Sequence, residues 1–287
     1  MHDAASNQTL DPALFARIAD LAYEESGINL VPEKRLMVQS RLRHRLRALQ
    51  LPGFDDYAAL VTSRDGASER RHMISALTTN VTHFYREPHH FALLTEHVLP
   101  VMRNKIRQGA PIRLWSAGCS NGQEPYSIVM HLFLEEPALR HADFKLLATD
   151  IDPKVIEHGR AALYTTAQSK PLPDEAAQFL LPGERDGQIR ISPDIRERVT
   201  FKELNLLSDW PMRGQFDAIF CRNVVIYFDV ETQERLWPRF ASALAPHGLF
   251  FLGHSERIVD PALYKLNCIG PTTYAHTAHA NQQHSSG

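Results

Sequence analysis

The sequence has little cysteine and no long apolar stretch. Its 287 residues include three cysteines, Cys119, Cys221 and Cys268, and none belongs to a CxxC pair. An odd number of widely spaced cysteines indicates reduced thiols and not a disulfide framework. No run approaches the ~18 apolar residues of a membrane-spanning helix, and the opening "MHDAASNQTLDPALF" lacks the basic and apolar regions of a secretory signal. We therefore expect a cytoplasmic protein without membrane insertion.

Two further absences exclude classes of function. The formal net charge is -2, so no overall positive charge favours nucleic acid as a partner. The chain has fifteen histidines but no HExxH motif, and "HTAHANQQHSS" near the C-terminus is typical of a polar tail. We expect neither a nucleic-acid partner nor a bound metal.

The first part of the chain carries helical patterns. Asp11 and Pro12 predict a helix start, with an N-cap followed by proline at the first helical position. The stretch "PEKRLMVQSRLRHRLRALQ" places three leucines on one helical face and arginines on the others. We predict an N-terminal helical domain over residues 1–80, then a linker and a first helix over residues 81–110.

From residue 111 onward, apolar strand patterns alternate with helical ones. "IRLWSAG", "FKLLATDID", "FDAIFCRNVVIYF" and "GLFFLGHSE" indicate strands, and "EPYSIVMHLFLEE", "PKVIEHGRAALY" and "TQERLWPRFASAL" indicate helices. This alternation predicts an α/β domain over residues 111–280 with a mostly parallel sheet covered on both faces. Residues 165–200 interrupt it, and "ERDG" before "QIRIS" indicates a small inserted hairpin or short sheet.

The stretch "SAGCSNGQEPYS" follows the first strand and opens a helix, an arrangement that usually binds a ligand on the turn. Gly118 and Gly122 do not fit the GxGxxG spacing of a dinucleotide loop, and Asp150 follows Gly118 by more than the ~20 residues usual for such loops. A carboxylate at the end of the second strand accepts hydrogen bonds from ribose hydroxyls. These features disfavour NAD and leave S-adenosylmethionine (SAM) as the leading candidate, with Asn205 and Asn223 facing the adenine.

Five ordered motifs sharpen this interpretation. "LTTNVTHFYREPHHF", "RLWSAGCSNGQEPYS", "LLATDID", "FDAIFCRNVVIYFD" and "GLFFLGHSE" together resemble the CheR family of chemotaxis receptor methyltransferases, over nearly the whole chain. The resemblance implies a Rossmann-like SAM-dependent methyltransferase sheet with a helical N-terminal domain and a small β insertion. It also implies that SAM methylates glutamate side chains on the cytoplasmic helical bundle of chemoreceptors, leaving S-adenosylhomocysteine as the product.

The resemblance assigns the cofactor contacts by position. The implied SAM-binding residues are Asn80, Thr82, Arg86, Gly118, Glu124, Asp150, Asn205, Leu206, Asn223 and Val224. The family usually has an acid where this chain has Gln123, which puts a secondary contact in doubt.

The predicted chemistry suits these residue types. A glutamate carboxylate has a pKa of ~4.3, so it is already ionised at neutral pH and needs no general base. The barrier lies in aligning the carboxylate oxygen, the methyl carbon and the sulfur, and in removing water from the carboxylate. Because arginine orients a carboxylate without taking its proton, we predict that Arg86 is catalytic, with the Tyr227 hydroxyl beside the methyl group or the acceptor. A structural ion pair for Arg86 and a strand-end cap for Tyr227 remain the alternatives.

The arginine-rich helix is open to two interpretations. It is either a solvated face or a basic surface, including Arg41 and Arg45, that attracts an acidic helical bundle as substrate. The loop "PGERDGQ" looks shorter than in relatives that bind a receptor's C-terminal peptide, which disfavours such a tether. We expect a monomer. The alternatives are the same chemistry on a protein of another signalling pathway, a non-catalytic SAM-binding adaptor, and a nucleic-acid base methyltransferase, which the absence of a [DN]PP[YF] loop disfavours.

Overall fold

The computed structural model describes residues 9–277, which divide into two compact units. One unit holds the described residues up to Thr79 together with Tyr227–Thr232, and the other holds Asn80–Ile226 and the residues from Gln233 onward. Most of the predicted polar tail, and the last three residues of the predicted domain over 111–280, lie outside the described residues. Within residues 9–277, no helix has both the length and the apolar character needed to cross a bilayer.

The first unit is helical. Its helices are α1 (Pro12–Ser26), α2 (Arg35–Leu49), α3 (Phe54–Thr62) and α4 (Ala67–Leu77). The predicted start of α1 is confirmed, because Asp11 Oδ1 accepts hydrogen bonds from the backbone N–H groups of Ala13 and Leu14 at 2.8 and 3.0 Å. Leu42 and Leu46 are buried, as expected for the apolar face of α2.

The second unit begins with one continuous helical segment and continues as alternating strands and helices. The segment consists of α5 (His89–Leu93), a π turn (Leu94–Val98) and α6 (Leu99–Arg107). The elements that follow are β1 (Ile112–Ala117), α7 (Gln123–Glu135), β2 (Phe144–Asp150), α8 (Pro153–Ala161), β3 (Leu163–Thr165), α9 (Thr166–Ser169), β4 (Leu180–Pro182), β5 (Gln188–Ile191), α10 (Pro193–Arg196), β6 (Val199–Glu203), β7 (Phe216–Cys221), α11 (Val230–Ala243), β8 (Leu244–Leu252), β9 (Leu266–Gly270) and β10 (Thr273–His276).

The main sheet has seven strands in the order β6-β2-β1-β7-β8-β10-β9. The first five run parallel, with Leu114 at the centre paired to Leu146 on one side and Ala218 on the other. All residues of β7 are buried, as are all but one of β1, which explains their near-continuous apolar sequences. The predicted α/β class is confirmed. Since the strands are parallel, their carboxyl ends meet at one edge of the sheet.

Two features differ from the sequence prediction. β9 and β10 were not predicted, and they add antiparallel strands at the edge beyond β8. The predicted helix "PKVIEHGRAALY" ends early, because Ala162 adopts a left-handed conformation (φ 53°) and Leu163–Thr165 then form β3. β3 and β4 both pair antiparallel with β5, so the predicted small insertion is a three-stranded sheet.

Candidate functional site

The turn after β1 lies at the carboxyl edge of the sheet and is tied to the end of β2. The backbone N–H groups of Gly118 and Cys119 both donate to the carbonyl oxygen of Thr149, at 2.7 and 2.9 Å. Gly118 has φ 83°, a left-handed conformation that favours glycine. The turn therefore presents its backbone at the edge of the sheet where ligands of this fold class bind.

Asp150 at the end of β2 is fixed by the backbone around it. Its Oδ2 accepts a hydrogen bond from Ser120 N at 2.8 Å, and its Oδ1 accepts one from Asp152 N at 3.0 Å. Burial raises the pKa of Asp150 to about 6, against the opposing effect of these N–H groups. Asp152 caps α8 by accepting from Lys154 N at 3.0 Å. Asp150 is thus a buried carboxylate with remaining acceptor capacity beside the turn.

The loop over residues 80–87 is fastened to this turn. The side-chain amide of Asn80 donates to Asp152 Oδ2 at 2.9 Å, and the backbone carbonyl oxygen of Asn80 accepts from Ser120 Oγ at 3.0 Å. Further along, Tyr85 N donates to Ser127 Oγ on α7 at 3.0 Å. Thr82 is half-buried between these anchors. The loop is consequently held at both ends against the elements that carry the turn.

Arg86 lies near the end of this loop and is only loosely paired. Its Nη1 donates to the carbonyl oxygen of Val81 at 3.2 Å, and its Nε lies 4.0 Å from Glu87 Oε1. That carboxylate oxygen instead accepts from the backbone N and Nδ1 of His254, at 3.1 and 3.0 Å. The Arg86 side chain is 25% exposed. Its guanidinium therefore keeps donors available for an incoming carboxylate.

A buried ion pair connects Glu124 to the loop. Glu124 Oε1 accepts from Ser116 Oγ at 2.7 Å, and its Oε2 accepts from Arg222 Nε at 2.7 Å. Arg222 also donates through Nη1 to the carbonyl oxygen of Arg86 at 2.7 Å. Burial, together with the nearby Arg222 charge, lowers the pKa of His90 to about 3, so this neighbour is neutral at physiological pH. His90 therefore adds no second positive charge beside Arg222, and the Arg222 charge is balanced by Glu124.

The two remaining predicted cofactor segments follow β6 and β7. Asn205 Oδ1 accepts from Leu207 N at 2.9 Å, and the buried Leu206 accepts through its carbonyl from Trp210 Nε1 and Arg239 Nη1, at 3.0 and 2.7 Å.

After β7, Asn223 has a left-handed backbone (φ 60°) and Val224 follows it. A Cβ atom built on Gly118 would lie 2.2 Å from Val224 Cγ2, so this turn packs directly against the turn after β1. The structure thus brings the segments after β1, β2 and β7 to the same edge.

The residues at this edge fit a nucleoside cofactor such as SAM. Gln123, the first residue of α7, is 2% exposed, and its Oε1 has no hydrogen-bond partner among the described residues. A buried acceptor of this kind suits a donor supplied by a ligand. In residues 9–277 no group of three or more His, Cys, Asp or Glu side chains is arranged to hold a metal ion.

Three predicted site residues belong to the first unit. The carbonyl oxygen of Tyr227 accepts from Asn29 N at 2.8 Å. Arg41 donates to the carbonyl oxygen of Thr78 at 3.0 Å and to Thr79 Oγ1 at 2.7 Å.

Arg45 is engaged differently from Arg41. It makes a two-point ion pair with Glu69 at 2.9 and 2.6 Å, and Tyr57 Oη donates to the same carboxylate at 3.0 Å. The Arg45 guanidinium is therefore neutralised within the helical unit, whereas Arg41 contacts only neutral groups.

Sequence reasoning missed two buried charged residues of the site, Arg222 and Glu256. Glu256 accepts hydrogen bonds from the backbone of the Asn223–Val224 turn. Both residues stand within motifs that were noted for other positions, "CRNVVIYF" and "GLFFLGHSE". The available signal was a charge soon after an apolar strand, where a parallel sheet buries its ends: Arg222 directly follows β7, and Glu256 stands four residues after the end of β8.

The fold and this edge define the class of protein: a SAM-dependent methyltransferase. The all-alpha domain of CheR methyltransferases matches residues 13–78, and the SAM binding domain of CheR methyltransferases matches residues 80–274. The chain belongs to the CheR methyltransferase family.

Relatives with assigned names are similar to this chain along most of their own length. A probable chemotaxis protein methyltransferase of Rhizobium etli is 44% identical over 260 residues, covering 90% of this chain and 97% of the relative. The chemotaxis protein methyltransferase of Salmonella typhimurium is 39% identical, covering 93% and 91%. That of Escherichia coli is 41% identical, covering 86% and 85%. SAM is accordingly the cofactor.

Proposed function

We propose that this protein transfers the methyl group of SAM to glutamate side-chain carboxylates on the cytoplasmic helical bundle of chemoreceptors, acting as a monomer in the cytoplasm. The relatives' names, which specify chemotaxis protein methyltransferases, support chemoreceptors as the substrate class. The observation that carries the chemistry is Arg86, whose nearest acid is 4.0 Å away although its loop is fastened to the cofactor turn. A partly exposed guanidinium at that place suits an incoming carboxylate.

Bound SAM supplies an electrophilic methyl group. The chain's own contribution is to hold and orient the glutamate, which is already ionised at neutral pH because its pKa is ~4.3. Arg86 binds one carboxylate oxygen and directs the other along the line of attack. The Tyr227 hydroxyl is the second proposed catalytic group, placed beside the methyl group or the acceptor oxygen. No group has to remove a proton in this scheme.

The proposed cofactor contacts follow the loop, the turn and the strand ends. They are Asn80, Thr82, Arg86, Gly118, Glu124, Asp150, Asn205, Leu206, Asn223 and Val224. In this proposal Asp150 accepts from the ribose hydroxyls, and its burial between backbone N–H groups supports that role. Gln123, with an unpaired buried oxygen, is the position where a weaker contact replaces the family's usual acid.

The helical domain is the proposed substrate-attracting part, and Arg41 and Arg45 are its proposed contacts. Arg41 keeps its full charge because its hydrogen-bond partners are carbonyl and hydroxyl oxygens. Arg45 is paired with Glu69, so its field at a distance is largely cancelled. Of the two, Arg41 carries the greater share of the proposed attraction.

The testing experiment incubates the purified protein with methyl-labelled SAM and membranes that bear the host's chemoreceptors. We expect label in the receptor band, released by mild base as volatile methanol, since a carboxyl methyl ester hydrolyses under those conditions. Arg86→Ala is expected to lower turnover by about 100-fold or more, the cost of removing a donor aimed at the reacting group. Its fold should persist because the side chain is partly exposed.

Three outcomes contradict the proposal. Base-resistant label means a nitrogen or other acceptor. No label in the presence of demonstrable SAM binding means a substrate from another pathway, or an adaptor. Near-normal turnover by folded Arg86→Ala removes Arg86 from the catalytic role.

A further inference from the structure

Glu256 gathers four backbone donors onto one buried carboxylate. Its Oε2 accepts from Asn223 N at 2.8 Å and Gly253 N at 2.6 Å, and its Oε1 accepts from Val224 N at 2.8 Å and Ile226 N at 3.2 Å. Glu256 is 4% exposed. Three of the four donors belong to the turn that leaves β7. A single side chain therefore satisfies the main chain of that turn.

The conformation of the turn needs such support. Asn223 has φ 60°, a left-handed conformation that is disfavoured for residues with a Cβ. The approach is also close: a Cβ built on Gly253 would lie 2.7 Å from Asn223 N, so a larger residue at position 253 would push the turn away. Bonds to a charged acceptor offset the strain at Asn223.

The segment that carries Glu256 is itself anchored. Ile258 N donates to Tyr274 Oη at 3.0 Å, and Tyr274 is buried in the antiparallel strand β10. On the other side, Leu252 N donates to the carbonyl oxygen of Thr272 at 2.9 Å. Glu256 is thus presented from a fixed part of the sheet, and its carboxylate transmits that position to the turn.

The position of the turn matters for the cofactor crevice. Val224 packs so closely on the Gly118 turn that a Cβ at position 118 would come within 2.2 Å of Val224 Cγ2. A shift of Asn223 and Val224 would therefore change the spacing between two segments that the proposed function assigns to SAM.

We propose that Glu256 is a positioning residue for the adenosine part of SAM, which acts through the main-chain N–H groups of Asn223, Val224 and Ile226 without touching the cofactor. The inference rests on the proposed assignment of Asn223 and Val224 to the adenosine. Its consequence is that removing the carboxylate weakens binding of the nucleoside half and not of the methionine half.

The test compares Glu256→Gln with a matched control, Asp217→Asn. Asp217 is also a buried carboxylate; it accepts from Arg113 N at 2.9 Å and Lys105 Nζ at 2.5 Å, but it lies at the opposite, amino-terminal end of β7. Dissociation constants are measured for SAM and for 5′-methylthioadenosine, which lacks the amino-acid half. Unfolding midpoints are measured in parallel.

We expect Glu256→Gln to raise both dissociation constants by a similar factor of about 10 to 100, because one pair of donors loses its charged acceptor. Asp217→Asn should lower the unfolding midpoint and leave both dissociation constants within about twofold of the wild type. Glu256→Asp keeps the charge on a shorter side chain and should give a smaller loss, which decides the matter if the glutamine variant does not fold.

The inference is overturned if the folded Glu256 variants bind both ligands like the wild type. It is equally overturned if they lose affinity for SAM while 5′-methylthioadenosine binding is unchanged. Failure of the wild type itself to bind SAM would instead contradict the proposed function.

Discussion

Arg222 Nε donates to Glu124 Oε2 across 2.7 Å, and both side chains lie almost entirely out of solvent. The same guanidinium reaches the carbonyl oxygen of Arg86. One buried cation therefore links the end of β7, the start of α7 and the end of the loop over residues 80–87. Three separate stretches of sequence meet at a single side chain.

The first prediction concerns the stability that this pair provides. Arg222→Met leaves Glu124 buried and unpaired, so we expect the free energy of unfolding to fall by about 3–5 kcal/mol. Adding Glu124→Gln should recover part of the loss. Urea denaturation of the two single variants and the double variant measures the coupling.

A matched exposed pair provides the control. Arg103 and Glu136 have the same 2.7 Å separation, but the arginine is 51% exposed. Arg103→Met should cost only ~0–1 kcal/mol because solvent screens the pair. Equal losses for the two arginine variants would contradict a burial-dependent effect.

The second prediction concerns pH and Asp150. Burial raises its pKa to about 6, so the ionised form, to which the proposed function assigns the ribose hydroxyls, is depleted below that pH. We expect the dissociation constant for SAM to rise by up to about tenfold for each pH unit below about 6. Calorimetric titration between about pH 5 and about pH 8 measures this dissociation constant.

The pH dependence of the Asp150 contribution to folding stability is opposite to that of its contribution to SAM binding. A folded-state pKa above the unfolded one means that Asp150 stabilises the protein below about pH 4, and that this contribution is lost as pH rises through about 6. Asp150→Asn should bind SAM weakly at every pH and show a flat profile. A variant with the wild-type profile would assign the titration to another group.

The third prediction separates the two arginines of α2. Arg41→Gln should lower the rate of receptor methylation at low salt by about fivefold, the equivalent of ~1 kcal/mol of attraction in water, and should flatten its salt dependence. Arg45→Met should mainly destabilise the fold, because it leaves Glu69 and Tyr57 without their cation. Methylation rates across a salt series and thermal unfolding distinguish these effects.

Arg47, exposed on the same helix, is the control for stability. Arg47→Gln should leave the unfolding temperature unchanged. A methylation rate that does not vary with salt in the wild type would rule out electrostatic attraction by this helix.

Much of the fold follows from the sequence because its signals are local. The α1 cap at Asp11 and the buried strand around Leu114 depend on neighbouring residues and on simple periodicity. Tyr164 shows the limit: its strand exists only because distant residues of β5 pair with it, and no glycine or proline marks the end of the preceding helix.

The candidate site likewise combines residues that local sequence signals predict with residues that only long-range contacts bring into place. Gly118 and Asp150 were predicted as site residues because they stand at the ends of strands, and the structure places them at one edge of the sheet. The acceptor role of Glu256 was not predicted, since three of its four partners are main-chain groups about thirty residues earlier in the chain. Tyr227, predicted beside the reacting groups, remains a prediction.

The four N–H bonds to Glu256 also mean that the path of the turn after β7 does not depend on which side chains the turn carries. Because the carboxylate binds main chain alone, the side chain of Val224 can be exchanged while the path of the turn is kept. Val224, assigned to the cofactor by the proposed function, is therefore the first position to alter when this methyltransferase is adapted to enlarged SAM analogues.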